Sequence, residues 1–328
     1  MQITILGGGG FLGRKLAQRL AADGALGGRT VTGLTLFDLV APAPLAAPFP
    51  VRCLGGNIAD VEAVKAAIPP GTDAVVHLAA VVSAQAESDF DLGLTVNLHG
   101  TLAVLRACRA LPTPPRVVFT SSVASFSGGQ EARLEDDARQ LPGNSYGAEK
   151  AAAELLLQDA SRRGMLDAVS LRLPTVIIRP GRPNKAASSF VSAILREPLL
   201  GLDTELPVGE EFALWICSPR RAVEWFLHAM TMDTGPLGLD RGINPPGRSA
   251  TVGKMLAALE EVAGPEARAR VKPVPDTAIE AIVGTWPASF TAERARRLHG
   301  FSEQESLEEI IQAFIEDDLA ATRAERGL

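Results

Sequence analysis

The chain contains one tyrosine, Tyr146, and it stands four residues before a lysine in the stretch NSYGAEK. Packing alone does not require a tyrosine, because the same chain uses 12 phenylalanines and 3 tryptophans. Residues i and i+4 share one face of a helix, so the phenol would lie beside the ammonium group of Lys150. A neighbouring cation favours the ionised form of a phenol, whose pKa is ordinarily about 10. The pair is therefore a candidate for removing a proton from an alcohol.

Two serines could orient that alcohol. Ser121 and Ser122 follow the apolar run RVVFT, which the pattern predicts to be a strand. Open α/β sheets bind ligands at the carboxyl ends of their strands, where these serines would lie. Taken alone, the Tyr/Lys spacing is equally that of an exposed tyrosine with a neighbouring lysine.

A glycine cluster, GGGGFLG, separates the first apolar run, QITIL, from the first helical pattern. It fits GxxGxxG through Gly7, Gly10 and Gly13, with Phe11 and Leu12 inside the turn. Residues without a Cβ allow a tight turn and a close approach to a pyrophosphate, and the helix N-terminus that follows attracts the anion. The context predicts a dinucleotide site, and the alternative is a glycine-rich turn that binds nothing.

The choice of dinucleotide depends on Asp38, which ends the second predicted strand, GLTLFD. A carboxylate there accepts hydrogen bonds from the ribose hydroxyls and repels a 2′-phosphate. The next residues, Leu39 and Val40, supply no arginine for such a phosphate. The sequence therefore predicts NAD as the cofactor.

Short apolar runs alternate with helical patterns over roughly the first half of the chain. This rhythm predicts an α/β fold of the Rossmann type, with a doubly wound parallel sheet. After Pro174 the rhythm gives way to helical patterns joined by Pro/Gly-rich segments. We expect residues 1–174 to form an NAD-binding domain and residues 175–328 a smaller, mostly helical substrate-binding lobe, with some strands returning to the first sheet. The predicted helices of this lobe are Phe190–Leu200, Pro219–Met232, Thr251–Val262 and Leu307–Arg326.

The bulk properties exclude several classes of partner. The net charge is −6 and no lysine/arginine block occurs, which argues against nucleic acid or an anionic membrane. No apolar stretch approaches the roughly 20 residues of a membrane span, and the N-terminus lacks a signal-peptide pattern, so we expect a cytoplasmic protein. The four histidines and three cysteines show no metal-ligand spacing, and we predict no metal.

The chain resembles the extended short-chain dehydrogenases/reductases, a family that includes nucleotide-sugar epimerases and dehydratases. The stretches GGGGFLG, GNIAD, VVHLAA, VNLHGT, VVFTSS, YGAEK and LRLPTVIIRPG follow the family's order. The resemblance implies that Ser122, Tyr146 and Lys150 form a catalytic triad, and that the protein is a homodimer through the helices containing Leu102–Leu105 and Tyr146–Leu157. The further cofactor contacts that it implies are Asn57 and Ile58 beside the adenine, Leu78, Ala79 and Ala80 along the cofactor, Asn97 in a supporting role, Pro174 near the nicotinamide, and Tyr146 and Lys150 themselves.

The loop RPGRPNKAASS carries three cations, Arg179, Arg182 and Lys185, which suit a small carboxylate substrate. A solvated basic loop is the alternative. Together with WICSPRRAV, this region is similar to family members that oxidise the C2 hydroxyl of a four-carbon sugar acid with NAD. The substrate-binding residues predicted on this basis are Ser83, Ser122, Tyr146, Thr175, Arg182 and Asn184.

Two other functions remain open. A nucleotide-sugar epimerase would use the same triad, retain its NAD and hold a diphosphate on the cationic loop. A dinucleotide-binding regulator would not need the intact Ser/Tyr/Lys set. A dehydratase is disfavoured, since Val123 and Ala124 stand where such enzymes carry an acidic pair.

Overall fold

The computed structural model describes residues 1–129, 133–182, 189–298 and 300–328. Its centre is a seven-stranded parallel sheet with the order β13-β9-β7-β6-β1-β4-β5. The inner strands are continuous apolar runs because helices cover both faces of the sheet. The strands are β1 (Gln2–Leu6), β2 (Ala25–Leu26), β3 (Arg29–Thr30), β4 (Gly33–Asp38), β5 (Val51–Gly55), β6 (Ala74–His77), β7 (Arg116–Ser122), β8 (Arg133–Leu134), β9 (Asp167–Leu173), β10 (Thr175–Val176), β11 (Thr204–Leu206), β12 (Ala213–Cys217), β13 (Gly242–Ile243), β14 (Arg248–Thr251), β15 (Val271–Pro273) and β16 (Ser289–Phe290).

Helices follow most strands of the first half and dominate the second half, which confirms the predicted fold class. A π-helical segment joins α4 to α5 at Leu94–His99, and another joins α13 to α14 at Ile315–Leu319. The helices are α1 (Phe11–Asp23), α2 (Val61–Ala67), α3 (Ser83–Ser88), α4 (Phe90–Gly93), α5 (Gly100–Arg109), α6 (Ser145–Arg162), α7 (Ser189–Leu199), α8 (Pro219–Thr231), α9 (Val252–Ala263), α10 (Pro265–Ala269), α11 (Thr277–Val283), α12 (Glu293–Arg297), α13 (Leu307–Phe314) and α14 (Ala320–Arg326).

The second half of the chain returns twice to the first sheet. Strand β13 pairs in parallel with β9 and forms one edge of the sheet. Helix α8 packs beside α1 and against β7. Its side chains Trp225 and Phe226 share one apolar core with Val118 and Val169 of the sheet. Residues on both sides of the predicted boundary at 174 therefore build the same core, and the boundary itself stays a prediction.

A second apolar core lies in the later part of the chain. It is formed by α7, α9 and α13 around the small sheet β10-β12-β14, with Val191, Leu259 and Ile310 fully or nearly fully buried. The predicted helices of this region are confirmed to within a residue or two at their ends. In the described ranges, no helix combines the length and apolar character needed to cross a bilayer.

Candidate active site

A cleft of about 310 Å³ opens at the carboxyl ends of β1, β6, β7 and β9. Ligands bind at this edge in open α/β sheets. The predicted site residues that line it are Gly7, Gly10, Phe11, Leu12, Gly13, Leu78, Ala80, Ser83, Ser122, Tyr146, Lys150, Pro174 and Thr175. The sequence argument did not single out Val82, Thr120, Leu173, Val176 and Trp286, which also line it.

The glycine turn forms one end of the cleft, and its shape depends on missing side chains. Gly7 has φ +87°, and a Cβ added there would lie 2.7 Å from the backbone nitrogen of Ala79. A Cβ on Gly13 would collide with the carbonyl oxygen of Gly7. No side chain caps the N-terminus of α1 at Gly10, so its free N–H groups remain available to an anion. This cradle fits the pyrophosphate of NAD.

Asp38 lies beside this turn, at the end of β4, although it does not line the cleft. Its carboxylate accepts hydrogen bonds from the backbone nitrogens of Gly9, at 2.9 Å, and Leu39, at 2.8 Å. The side chain is half-buried and keeps a solvent-facing edge. The position suits a carboxylate that meets ribose hydroxyls.

The predicted cofactor contacts Asn57, Ile58 and Ala79 also lie away from the cleft lining. Asn57 is exposed, and its side-chain oxygen caps its own turn by accepting from Ala59 at 2.9 Å. Ile58 is buried against Gly100 of α5. Ala79 lies behind the glycine turn and donates its backbone hydrogen bond to Leu6. Their proposed roles beside the adenine and along the cofactor stay predictions.

Tyr146 and Lys150 lie on the first two turns of α6. Asn144 caps this helix by accepting from the backbone nitrogen of Gly147 at 2.8 Å, which fixes where the helix begins. The phenol of Tyr146 faces the Ser122 hydroxyl at the end of β7, which acts to lower the pKa of the phenol. The Lys150 ammonium is buried, 5.6 Å from the centre of the Tyr146 ring and 4.7 Å from that of Phe119.

Burial governs the protonation of both groups. It raises the pKa of Tyr146 to about 12, against a lowering effect of the Ser122 hydrogen bond and of the positive charge on Arg179. It lowers the pKa of Lys150 to about 8, although Glu149 and Glu154 oppose this. We expected Lys150 to lower the pKa of the phenol. In the structure the desolvation of Tyr146 outweighs such effects, and the cation that acts on the phenol is Arg179.

Ser121 and Ser122 have different surroundings. The Ser121 hydroxyl hydrogen-bonds Glu154, whose carboxylate is buried and pairs with Arg172 at 2.9 Å. Ser122 instead accepts from the backbone nitrogen of Ala124 at 3.1 Å and meets Tyr146. The geometry supports Ser122 as the residue of the pair that orients a substrate alcohol.

Asn97 has a supporting place within the π-helical turn and does not line the cleft. Its side-chain oxygen accepts from the backbone nitrogen of Val81 at 3.0 Å, and its amide donates to the Val81 carbonyl at 3.2 Å. The amide also donates to Glu149 on α6 at 2.6 Å. Asn97 thereby ties the segment after β6, which lines the cleft, to the helix of Tyr146.

Of the two arginines in the described part of the basic loop, Arg179 is the one that lines the cleft. Its side chain is half-buried, and burial together with the charge of Arg196 lowers its pKa. Its Nη2 has no hydrogen-bond partner among the residues that the structure describes. Arg182, which we predicted to bind substrate, is exposed and does not line the cleft. The predicted Asn184, like Lys185, lies outside the described residues.

Trp286 closes the cleft from the second half of the chain. It follows α11, and its backbone nitrogen donates to Val283 at 3.0 Å. The stretch GTWP that contains it has no motif or periodicity, so the only available signal was a large aromatic residue in a polar connection.

Comparisons with known proteins agree with this geometry. Residues 3–215 match the model of the NAD dependent epimerase/dehydratase family. The chain is 47% identical over 321 residues to D-erythronate dehydrogenase of Cupriavidus necator, which covers 97% of this chain and 98% of the relative. It is 42% identical over 320 residues to D-erythronate dehydrogenase of Haemophilus influenzae, covering 97% and 100%.

A solved structure shows the same similarity in three dimensions. The nucleoside-diphosphate-sugar epimerase from Agrobacterium tumefaciens superposes with a TM-score of 0.93 at 44% identity, covering 98% of this chain and 95% of the other. The resemblance to the extended short-chain dehydrogenases/reductases is thereby confirmed. The family match and the glycine cradle together show that the chain belongs to the NAD-dependent epimerase/dehydratase family and that its cofactor is NAD.

Proposed function

We propose that this enzyme is an NAD-dependent dehydrogenase that oxidises the C2 hydroxyl of D-erythronate to give 2-dehydro-D-erythronate. Two relatives of almost the same length carry the name D-erythronate dehydrogenase. The observation that carries the proposal is the presence of Arg179 in the same cleft as Ser122 and Tyr146, with a guanidinium nitrogen that lacks a partner among the described residues.

The position of Arg179 suits a 2-hydroxy acid. In such a substrate the reacting hydroxyl and the carboxylate are on adjacent carbons, so the base and the cation must also be neighbours. The charge of Arg179 acts on the phenol of Tyr146, as expected for groups this close. An arginine can bind a carboxylate through two parallel hydrogen bonds, which would fix C2 in front of the phenol.

The chain's own residues would handle the proton. Ser122 holds the substrate hydroxyl, and Tyr146 accepts its proton. Arg179 and Ser122 act to lower the pKa of the phenol, against burial, which holds it above its ordinary value. NAD, when bound, supplies the hydride acceptor. Gly7, Gly10 and Gly13 would hold its pyrophosphate, and Asp38 its adenosine ribose.

The test is the appearance of NADH absorbance with a panel of four-carbon substrates. We expect turnover with D-erythronate, less with its diastereomer L-threonate, and none with the neutral polyol erythritol, which has no carboxylate for Arg179. NADP should replace NAD poorly. Absence of NADH with every hydroxy acid in the panel would contradict the proposal.

A nucleotide-sugar epimerase is the second candidate, because the Agrobacterium tumefaciens structure at 44% identity carries that name. An epimerase would interconvert UDP-glucose and UDP-galactose without net accumulation of NADH. A non-catalytic NAD-binding regulator would show neither reaction while still binding NAD. The same two assays therefore separate all three possibilities.

We also expect a homodimer formed through α5 and α6. The exposed apolar side chain of Leu155 on α6, 63% accessible, supports an interface on this face. Light scattering during size-exclusion chromatography should give twice the chain mass of 34.5 kDa, and Leu155→Asp should lower it.

A further inference from the structure

Behind Arg179 lies a buried cluster of charged side chains, which we call the rear cluster: Arg196 and Glu197 of α7 with Arg326 of α14. Arg196 is 1% exposed and Glu197 is 5% exposed. One oxygen of Glu197, Oε1, accepts from Nε and Nη2 of Arg196 at 2.9 and 2.7 Å. The other oxygen, Oε2, accepts from Nη1 of Arg326 at 2.5 Å. Both oxygens of this carboxylate are therefore engaged.

The rear cluster holds the backbone of Arg179. Nη1 of Arg196 donates to the carbonyl oxygen of Arg179 at 2.7 Å. The backbone nitrogen of Arg179 donates to the hydroxyl of Ser192, one turn earlier on α7, at 3.2 Å. Both backbone polar groups of Arg179, its N–H and its carbonyl, are thus held by α7. Its guanidinium extends from this held backbone toward the cleft.

The rear cluster also controls which charge faces Arg179. Glu197 is the carboxylate next to Arg196, and its two oxygens are divided between Arg196 and Arg326. Burial and, after it, the like charge of Arg196 lower the pKa of Arg179. The rear cluster carries two cations, Arg196 and Arg326, for the one carboxylate of Glu197, so its net charge repels that guanidinium. A substrate carboxylate would then be the favourable partner for Arg179.

We propose that Arg326 is a positioning residue for substrate binding: it holds Glu197 against Arg196, so that Arg179 keeps its position and its charge for the substrate carboxylate. This inference rests on the proposed function, because it assigns Arg179 to a carboxylate. Without Arg326, Oε2 of the buried Glu197 lacks a partner, and this carboxylate can turn toward Arg179 or pull Arg196 away from the Arg179 carbonyl. Either change weakens the binding of the acid and leaves the glycine turn untouched.

The variant Arg326→Met is compared with Arg323→Met, a matched control on the same helix. Arg323 is exposed and donates to the carbonyl of Leu199, at 3.1 Å, and in the described ranges it forms no hydrogen bond or ion pair with the rear cluster. Isothermal titration of D-erythronate into the NADH-loaded protein reports binding without turnover. We expect Arg326→Met to weaken binding of the acid about tenfold, as for coupled neighbours in one ion-pair network, while Arg323→Met binds like wild type. NADH affinity should be equal in all three proteins.

Two results would overturn the inference: equal affinity of Arg326→Met and wild type for the acid, or an equal loss in both variants. A loss of NADH affinity in Arg326→Met would also count against it, because that is the signature of general unfolding. If Arg326→Met does not fold, Arg326→Gln and Arg323→Gln are compared with the same outcomes. Wild-type protein that binds D-erythronate but never reduces NAD contradicts the proposed function alone, whereas wild-type protein that does not bind the acid contradicts both.

Discussion

The two walls of the cleft are built in different ways. The nucleotide wall, comprising the glycine turn and Asp38, belongs to the first βαβ unit and depends on backbone geometry. The substrate wall, comprising Thr175, Arg179 and Trp286, belongs to the second half of the chain and depends on side chains, of which Arg179 extends from a backbone that α7 holds. In a wall made of backbone, the geometry restricts which residue types are possible at each position. In a wall made of side chains, the geometry depends instead on how the elements that carry those side chains pack.

Tyr146, where the two walls meet, should give the largest effect. Tyr146→Phe keeps the ring and removes the hydroxyl that exchanges the proton. We expect turnover to fall about a thousandfold, within the usual range for a general base, while NAD affinity stays nearly constant. Steady-state kinetics and NAD titration measure the two quantities. If the variant retained most of its turnover, Tyr146 would not be the general base.

Gly13→Ala tests the nucleotide wall. The new Cβ would collide with the carbonyl oxygen of Gly7, so the turn must open. We expect NAD affinity to fall about a hundredfold, since the pyrophosphate loses its fitted backbone donors. Gln18→Ala, on the exposed face of the same helix, is the control and should bind NAD normally. Fluorescence titration with NADH measures both, and equal affinities would show that the turn tolerates a side chain.

The buried ammonium of Lys150, on the helix beside the nucleotide wall, makes stability depend on pH. Its pKa is about 8 in the folded chain, below the ordinary 10.5, so the unfolded chain binds more protons between these values. Lys150 should therefore contribute stability that rises with pH through this window, while the buried thiols of Cys108 and Cys217, whose pKa values burial raises, oppose that rise. We expect the stability of the wild type relative to Lys150→Met to increase by about 2 kcal/mol between about pH 7.5 and about pH 9.5, measured by urea unfolding of both proteins. A parallel pH dependence in the variant would assign the titration to another group.

The substrate wall is tested by Arg179→Met beside Arg182→Met. We expect the first variant to raise KM for D-erythronate about tenfold or more with little change in KM for NAD, because only the carboxylate loses its partner. Arg182 is exposed and outside the cleft lining, so the second variant should resemble wild type. The reverse result would show that Arg182, not Arg179, binds the substrate carboxylate. Equal and small effects in both variants would show that neither arginine determines substrate specificity.

The same contrast explains what sequence reasoning recovered. The Rossmann-type sheet and the glycine turn were predictable, since alternating apolar runs and residues without a Cβ are local requirements of backbone geometry. Tyr146 and Lys150 were singled out by their spacing on a predicted helix, and Ser122 was preferred to Ser121 by the family resemblance. Their arrangement in one cleft agrees with the roles predicted for them, which the experiments above test.

The parts that sequence reasoning missed depend on tertiary packing. Arg179 and Arg182 are three residues apart in one basic loop, and their spacing does not report that α7 holds the backbone of Arg179 beside the cleft. Trp286 comes from a connection without periodicity. The raised pKa of Tyr146 also follows from burial, which spacing along a helix does not report.

The packing of β13 and α8 on the first sheet has a consequence for how the chain folds during synthesis. A chain that ends near residue 174 would lack the strand that covers the outer edge of β9 and the helix that shields Val118 and Val169. During synthesis, the sheet of the amino-terminal half cannot be completed and covered until residues 219–243 have been translated. An excised amino-terminal fragment should therefore aggregate rather than bind dinucleotide on its own.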